Sequence, residues 1–502
     1  MARYVLVNRR AGKFTAEQKR ASRAAVAMTL ASFEGSSRIV SDKDPADELA
    51  RRVVVLDADP SRVASMLASL PPDAVLEPLI RRSLHFKMPL ELRHALSLTA
   101  ASAQVAASSV YRVTITGAGK PLSGIQVIFY LQDPTGQMRT AQVSTDQQGQ
   151  AMVNAPAGYI LSFVEPIPYS DFWIMLSEAP PSGSTIDCTP IAKAGPGGVG
   201  WWHTAMGVDV NVGNRGAGLR VGVIDTGCGP HPNLAHVNLV GVFVDGQVLP
   251  PAQATDVAEH GTHTTGIIGA RPTQDGDFAG LAAGCDLYHA RVFQSEDEGP
   301  SQADLINAID SLSRDNGCDL INMSLGGGPS SQAEEDAIRD AAERGTLCIC
   351  SAGNEAGPID FPAAYPECAA VSAIGQIGWA PPGTFSFGNR PKDPSKIGQQ
   401  NLFVATFSCF GPTLACAAPG VGVVSSVPNR NGAADLYMEM DGTSMASPAA
   451  CGALAVILSG DANYVSLPRD SSRSNAARNL LAQHCEPFGL PTEYEGRGLP
   501  RT

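Results

Sequence analysis

Four polar residues stand where they could do chemistry together. Asp225 closes the apolar run VGVID and is followed by Thr226-Gly227. His260 opens the small-residue stretch HGTHTTGIIGA, Asn354 follows CICSAG, and Ser444 lies in DGTSMASPAACGALAVIL at the mouth of a long apolar helix. A serine there can be a simple N-cap, and proline is tolerated in a first helical turn. The same hydroxyl can be a nucleophile, because the positive end of the helix dipole stabilises a developing oxyanion. That reading needs a base, a group that orients the base, and an oxyanion donor. A histidine at a helix start near a strand-end aspartate suits a base whose tautomer the aspartate fixes. Taken singly, each residue is as well explained as a turn or cap. His260 and His263 could suggest a metal, but the general-base glutamate of a zinc-protease helix is missing and no third ligand is apparent.

The elements that must position these residues divide the chain into three parts. From about residue 200 to 502, apolar runs such as LRVGVID, DLYHARVF, CDLINMSL, TLCICSA and CAAVSAI alternate with helical stretches near 301–315 and 331–344. Such alternation indicates an α/β fold, a mostly parallel sheet covered by helices on both faces. Sites in open α/β sheets form beyond the carboxyl ends of the strands, which is where Asp225, Ser324 and Asn354 fall. Residues 376–405, rich in Pro, Gly and Gln, read as a long surface insertion. Residues 1–98 open with a β-α-β-α-β pattern over 3–90, a small α+β unit of ferredoxin-like character whose last strand is AVLEPLIRRSL. Residues 109–182 are short strands broken by Gly, Pro and Asp turns, as in a β-sandwich. The stretch 179–198 reads as a linker.

Composition narrows the function class. The chain has 502 residues and a net charge of −13, enough for two to four domains, and its acidity argues against nucleic acid as a partner. Residues 1–100 hold 16 Lys+Arg against 11 Asp+Glu, net +5, while residues 201–502 hold 16 against 32, net −16. The first part and the last could therefore attract each other. All 11 cysteines lie between Cys188 and Cys485, without metal-finger spacing, and read as buried thiols in a reducing compartment. The N-terminus shows no signal-peptide pattern, no segment reads as a membrane span, and a cytoplasmic location is expected, with secretion by another route left open.

VIDTG, HGTH, INMSLGG, SAGNEAG and GTSMASP together resemble the motif set of the subtilisin-like serine proteases, in that family's order of Asp, His and Ser. The resemblance covers about residues 200–502 and extends to FPAAYPECAAVSAIG, FSCFGP, AAPG and the terminal YEGRGLP. It implies a subtilisin-like catalytic domain in which Ser444 attacks the scissile carbonyl, His260 relays the proton, Asp225 holds His260, and Asn354 with the Ser444 backbone N–H binds the oxyanion. Ser324, Leu325 and Gly326 would pair with an extended peptide or protein substrate. The serine motif departs from the family at Ala449-Ala450-Cys451-Gly452, where His-Val-Ala-Gly is common, and Cys228 near Asp225 is an unusual thiol. No cofactor is required for such chemistry. Members often bind structural Ca2+, but no loop of alternating acids marks a site.

The N-terminal part is similar to the family's inhibitory pro-domain, which implies a zymogen whose own N-terminal segment acts as inhibitor and chaperone; an unrelated α+β domain is the alternative. GKPLSGIQVIFY and STDQQGQA resemble a transthyretin-like sandwich, which would serve as spacer, docking module or part of the pro-region. Aligning FPAAYP with the family puts Asp360 at the base of the primary specificity pocket, with Glu355 nearby, and implies cleavage after Arg or Lys, with Arg81-Arg82 and Arg93 as self-processing sites. Otherwise Asp360 caps a turn and faces solvent. Two other function classes use the same residues: a peptide ligase or macrocyclase that releases the acyl-enzyme to an amine, and a non-catalytic peptide-binding protein.

Overall fold

The computed structural model describes residues 1–8, 15–32, 37–45, 50–70, 74–85, 96–97, 109–168, 172–191, 198–295, 298–429 and 437–502. Arg93 lies outside them.

The N-terminal unit runs β1 (Ala2–Asn8), α1 (Ala16–Ser32), β2 (Ser37–Lys43), β3 (Val53–Ala58), α2 (Pro60–Ser69), β4 (Ala74–Pro78). Its sheet is antiparallel in the order β2-β3-β1-β4. Strand alternation sorts its side chains. Tyr4, Leu6, Val54 and Leu56 pack against Val26, Leu30, Val63 and Met66 of the two helices. Val5, Val7, Val53 and Val55 face the other way and join the core of the C-terminal part. β2 escapes the sequence pattern because SRIVSDK is polar and half-exposed throughout. AVLEPLIRRSL is not one strand: β4 stops at Pro78, and Ser83–Leu84 form a separate short strand, β5.

The sandwich has one sheet in the order Ser177–Glu178, Ile160–Ile167, Gln126–Gln132, Met138–Ser144, Leu96–Ser97. The other runs Gln150–Ala155, Ser109–Gly117, Ser184–Cys188. Val113, Ile115, Val127, Phe129, Val164 and Ile186 fill the space between. Two strands therefore lie outside the expected 109–182: Ser184–Cys188 falls in the stretch read as linker, and Leu96–Ser97 in the stretch assigned to the first unit. Both pair parallel to sandwich strands, a long-range pairing that short segments do not announce.

The C-terminal part is a mostly parallel sheet in the order 247–249, 238–244, 286–291, 220–225, 320–323, 347–351, 368–376, 402–404, with Leu414–Pro419 also pairing Cys368–Gln376. Only the two outermost strands, Gln247–Leu249 and Leu402–Val404, run antiparallel to their neighbours. Helices His260–Gly269 and Thr443–Gly460 cover one face, with Val223, Ile349 and Val371 beneath them. Helices Gln302–Asp310 and Gln332–Glu343 cover the other, over Ile321, Met323 and Cys350. By length and composition Thr443–Gly460 could cross a membrane, contrary to the sequence expectation, and 83% of it is buried in this core.

The insertion 376–405 is more than surface. The sandwich docks on it: Trp173 meets Trp379 edge-on at 6.1 Å, Leu176 N donates to Gly383 O (2.8 Å), and Phe385 N donates to Ile174 O (2.9 Å).

Candidate functional site

Asp225 ends the strand Arg220–Asp225, and its carboxylate is fully buried. Oδ1 lies 2.7 Å from His260 Nδ1 and accepts from Thr226 N (2.7 Å); Oδ2 accepts from Thr264 Oγ1 (3.1 Å). These bonds fix the carboxylate plane and make Nδ1 the donor nitrogen of His260, which leaves Nε2 as the side that can take a proton. The two loops that carry the pair touch. A Cβ on Gly261 would strike the Gly227 carbonyl, so glycine is required for the approach. Asp256, which sequence reasoning missed, ties the same loops together. It accepts from Thr226 Oγ1 (2.8 Å), Thr262 N (2.7 Å) and Ala258 N (2.9 Å). Its only sequence signal is an acid shortly before a helix start.

Ser444 sits in the first turn of Thr443–Gly460. Pro448 lacks the N–H that would bond the Ser444 carbonyl, and Ser324 Oγ donates to that carbonyl instead (2.8 Å). The proline thus frees an acceptor by which the strand-end serine is tied to the backbone of Ser444. Ser444 Oγ donates to Ser324 O (3.0 Å). Asn354 Oδ1 accepts from Thr443 N (3.0 Å) and Thr443 Oγ1 (2.8 Å). That orientation is forced, because a backbone N–H can only meet the amide's oxygen. It leaves Nδ2, buried and with no hydrogen-bond partner among the described residues, as a donor awaiting an acceptor. The departure at Ala449–Gly452 is a packing change: all four are buried, and Gly452 lies against Ile268 and Leu281.

The occupant of this site is the chain's own segment 81–85. β5 pairs antiparallel with Leu325–Gly326, matching Leu84 with Leu325 and Ser83 with Gly326. Ser444 N donates to His85 O (3.2 Å). The His85 ring enters a recess in which Nδ1 lies 2.7 Å from Ser351 Oγ and Nε2 lies 3.2 Å from Asp360 Oδ2. The second contact lacks hydrogen-bond alignment, so it is chiefly Coulombic and depends on a protonated ring. A Cβ on Gly326 would overlap the ring. Asp360 is the carboxylate placed against the occupant; Glu355 is exposed. The expected Arg81-Arg82 is not at the Ser444 position. Arg82 lies three residues before His85, its guanidinium paired with buried Glu334 (Nε to Oε1 3.2 Å) and bonded to Pro329 O (2.9 Å). Tyr365 Oη also donates to Glu334 (3.0 Å).

Other candidates have structural roles. His263 is buried, bonded through Nε2 to Met438 O (2.9 Å), and burial holds it down to about 3, so it stays neutral. Burial pushes the Cys228 thiol well up, the reverse of what a reactive thiolate needs. Among the described residues no group of three or more His, Cys, Asp or Glu side chains is arranged to hold a metal ion.

A family model described as the Subtilase family matches residues 216–484. Subtilisin DY of Bacillus licheniformis is 33% identical over 293 residues, covering 57% of this chain and 90% of its own length. Subtilisin Savinase of Lederbergia lenta is 31% identical over 281 residues, 56% of this chain and 91% of its own. The Major intracellular serine protease of Bacillus subtilis (strain 168) is 29% identical over 296 residues, 57% and 82%.

Proposed function

The chain belongs to the subtilase family and is a subtilisin-like serine protease; we propose that it is an endopeptidase made as a zymogen, with segment 81–85 lying in its own active site. In the acylation step His260 Nε2 takes the Ser444 Oγ proton as the oxygen attacks the scissile carbonyl carbon. Asp225 stabilises the imidazolium that results, and Asn354 Nδ2 and Ser444 N–H hold the oxyanion. His260 then gives the proton to the leaving amine. Water repeats the sequence on the acyl-enzyme. Ser444 Oγ must first exchange its bond to Ser324 O for one to His260.

The observation that carries this reading is the Ser444 N–H bond to His85 O, because it sets a peptide carbonyl beside the nucleophile on a β-paired strand. Docking of the N-terminal unit supports the zymogen. Glu77 accepts from Ser331 Oγ and from Gln332 N (3.1 Å) at the start of helix Gln332–Glu343, an acid at a helix N-terminus. Arg51, with a fully buried side chain, reaches Asp340 (2.6 Å) on that helix. A basic residue before the cleaved bond suits Asp360. Ten buried thiols suit a reducing compartment, hence the cytoplasm.

A fluorophosphonate probe tests the reading: it should label the processed wild type at Ser444 and leave Ser444→Ala unlabelled. Weighing the products of a peptide incubated with a second amine separates hydrolysis from ligation. Failure of the processed wild type to label would overturn the assignment of the nucleophile.

A further inference from the structure

Segment 82–85, Arg-Ser-Leu-His, shows two side chains met by two separate carboxylates. Arg82 ends in a fully buried pair with Glu334, whose second oxygen also accepts from Tyr365 Oη. His85 ends between Ser351 and Asp360. Between them Ser83 and Leu84 pair with Gly326 and Leu325, so the register is fixed by backbone and not by side chains. The side chains at the two ends are then read by pockets a set distance apart, and both pockets carry negative charge. Glu334 is fully buried, and a buried carboxylate without a cation is costly, so a substrate lacking Arg at the fourth position leaves that cost unpaid. A guanidinium meets it with two parallel hydrogen bonds, which lysine cannot reproduce. The His85 recess is short: the ring reaches Ser351 and Asp360 and is bounded by Gly326, where any Cβ would overlap it.

We propose that the peptide bond following His85 is the enzyme's first substrate, and that it selects substrates carrying Arg at the fourth residue and His at the first residue before the cleaved bond, read by Glu334 and Asp360 respectively. This rests on the serine peptidase reading above and names its substrate class. In self-cleavage the Ser444 oxygen bonds to the His85 carbonyl carbon, the C–N bond to Phe86 breaks, and the freed Phe86 amine takes the proton that His260 removed from Ser444. Water then releases His85 as a carboxylate.

The test uses the full chain. Intact-mass measurement and N-terminal sequencing of the purified wild type should give a fragment 1–85 and a new N-terminus at Phe86, with Ser444→Ala remaining full length. Cleavage of the wild type after Arg82 or Arg93, or no cleavage, overturns the proposal while a fluorophosphonate-labelled Ser444 keeps the peptidase reading intact. Cleavage of Ser444→Ala overturns the peptidase reading itself. On the processed enzyme, the fluorogenic peptide Arg-Ser-Leu-His should exceed Ala-Ser-Leu-His and Arg-Ser-Leu-Leu in kcat/KM by about tenfold or more each, the size of one charge-assisted hydrogen bond. Glu334→Gln should erase the first ratio and Asp360→Asn the second. Because each ratio compares two substrates on one protein, a partly unfolded variant cannot mimic the result. A Leu preference in the wild type, or ratios unchanged in the variants, refutes the assignment.

Discussion

Asn389 Nδ2 donates to Asp441 Oδ2 at 2.5 Å, three residues before Ser444. Asp441 is fully buried, and its other oxygen accepts from Ser386 Oγ (2.8 Å) and Gly422 N (2.5 Å). Burial raises its acid to about 6. The 376–405 insertion thus supplies two of the three donors that hold the loop leading to Ser444. Asn389→Ala strips one donor from a buried carboxylate, a cost of about 1.5–3 kcal/mol. We expect the loop to shift and kcat to fall about tenfold with KM nearly constant, since the pairing strand Leu325–Gly326 is untouched. Steady-state kinetics on one peptide measures it; an effect confined to KM would place the insertion's role at the substrate cleft.

Glu439, two residues earlier, accepts from Ile174 N, so it joins the sandwich to the strand that leads to Ser444. Burial lifts its acid from 4.5 to about 8. The folded state therefore holds a proton that the unfolded chain releases above pH 4.5. The stability linked to this group is full below that pH and declines as pH rises to about 8. Glu439→Gln cannot ionise. Its melting temperature should fall less steeply than the wild type's between these limits, by a few degrees over the range. Parallel thermal-melt curves against pH would show that Glu439 is irrelevant.

The N-terminal unit offers two ion pairs of different worth. Arg51 is fully buried against Asp340 (2.6 Å) and Asp310 (3.6 Å), while Arg81 and Glu298 (2.9 Å) are both substantially exposed. Asp340 and Asp310 also reach Arg344, so losing Arg51 does not strand them fully. If the chain is processed after His85 as proposed, Arg51→Met should weaken the hold of the released segment by about ten- to a hundredfold, whereas Arg81→Met should change little, because exposed pairs are screened. The readout is peptidase activity regained on dilution of the processed protein. Equal effects of the two variants would mean that general charge, +5 against −16 between the two parts, sets the affinity.

How much of this was legible beforehand depends on the range of the interaction. Asp225, His260, Asn354 and Ser444 were readable because each ends or begins an element whose period is visible locally. Asp360 was readable only through the family alignment, since DFP by itself is a turn. Its partner His85 was hidden, because nothing within RRSLH says that Leu84 will lie opposite Leu325, 241 residues further along the chain. The same holds for Ser184–Cys188, which completes a sheet begun at Ser109. Asp256 and Asp441 were missed because a buried acid and a surface acid look alike in sequence until their donors are known.

The two ends of the Asn354 amide differ. Its Oδ1 accepts from Thr443 N and Oγ1, which sets the first turn of the Ser444 helix, while Nδ2 has no hydrogen-bond partner among the described residues. Substitution by alanine would remove both ends at once, the Thr443 contact and the proposed oxyanion donor. Asn354→Asp separates them: a carboxylate oxygen still accepts from Thr443, but the donor becomes an acceptor that repels the oxyanion. We expect kcat to fall by at least the roughly 10²–10³-fold known for a subtilisin's oxyanion asparagine. Fluorophosphonate labelling should slow in parallel, because the phosphonyl oxygen uses the same donors, and the melting temperature should move little. If Asn354 served only to hold Thr443, the aspartate variant would keep nearly full turnover while Asn354→Leu would lose it, and the oxyanion role would be excluded by that pair of measurements.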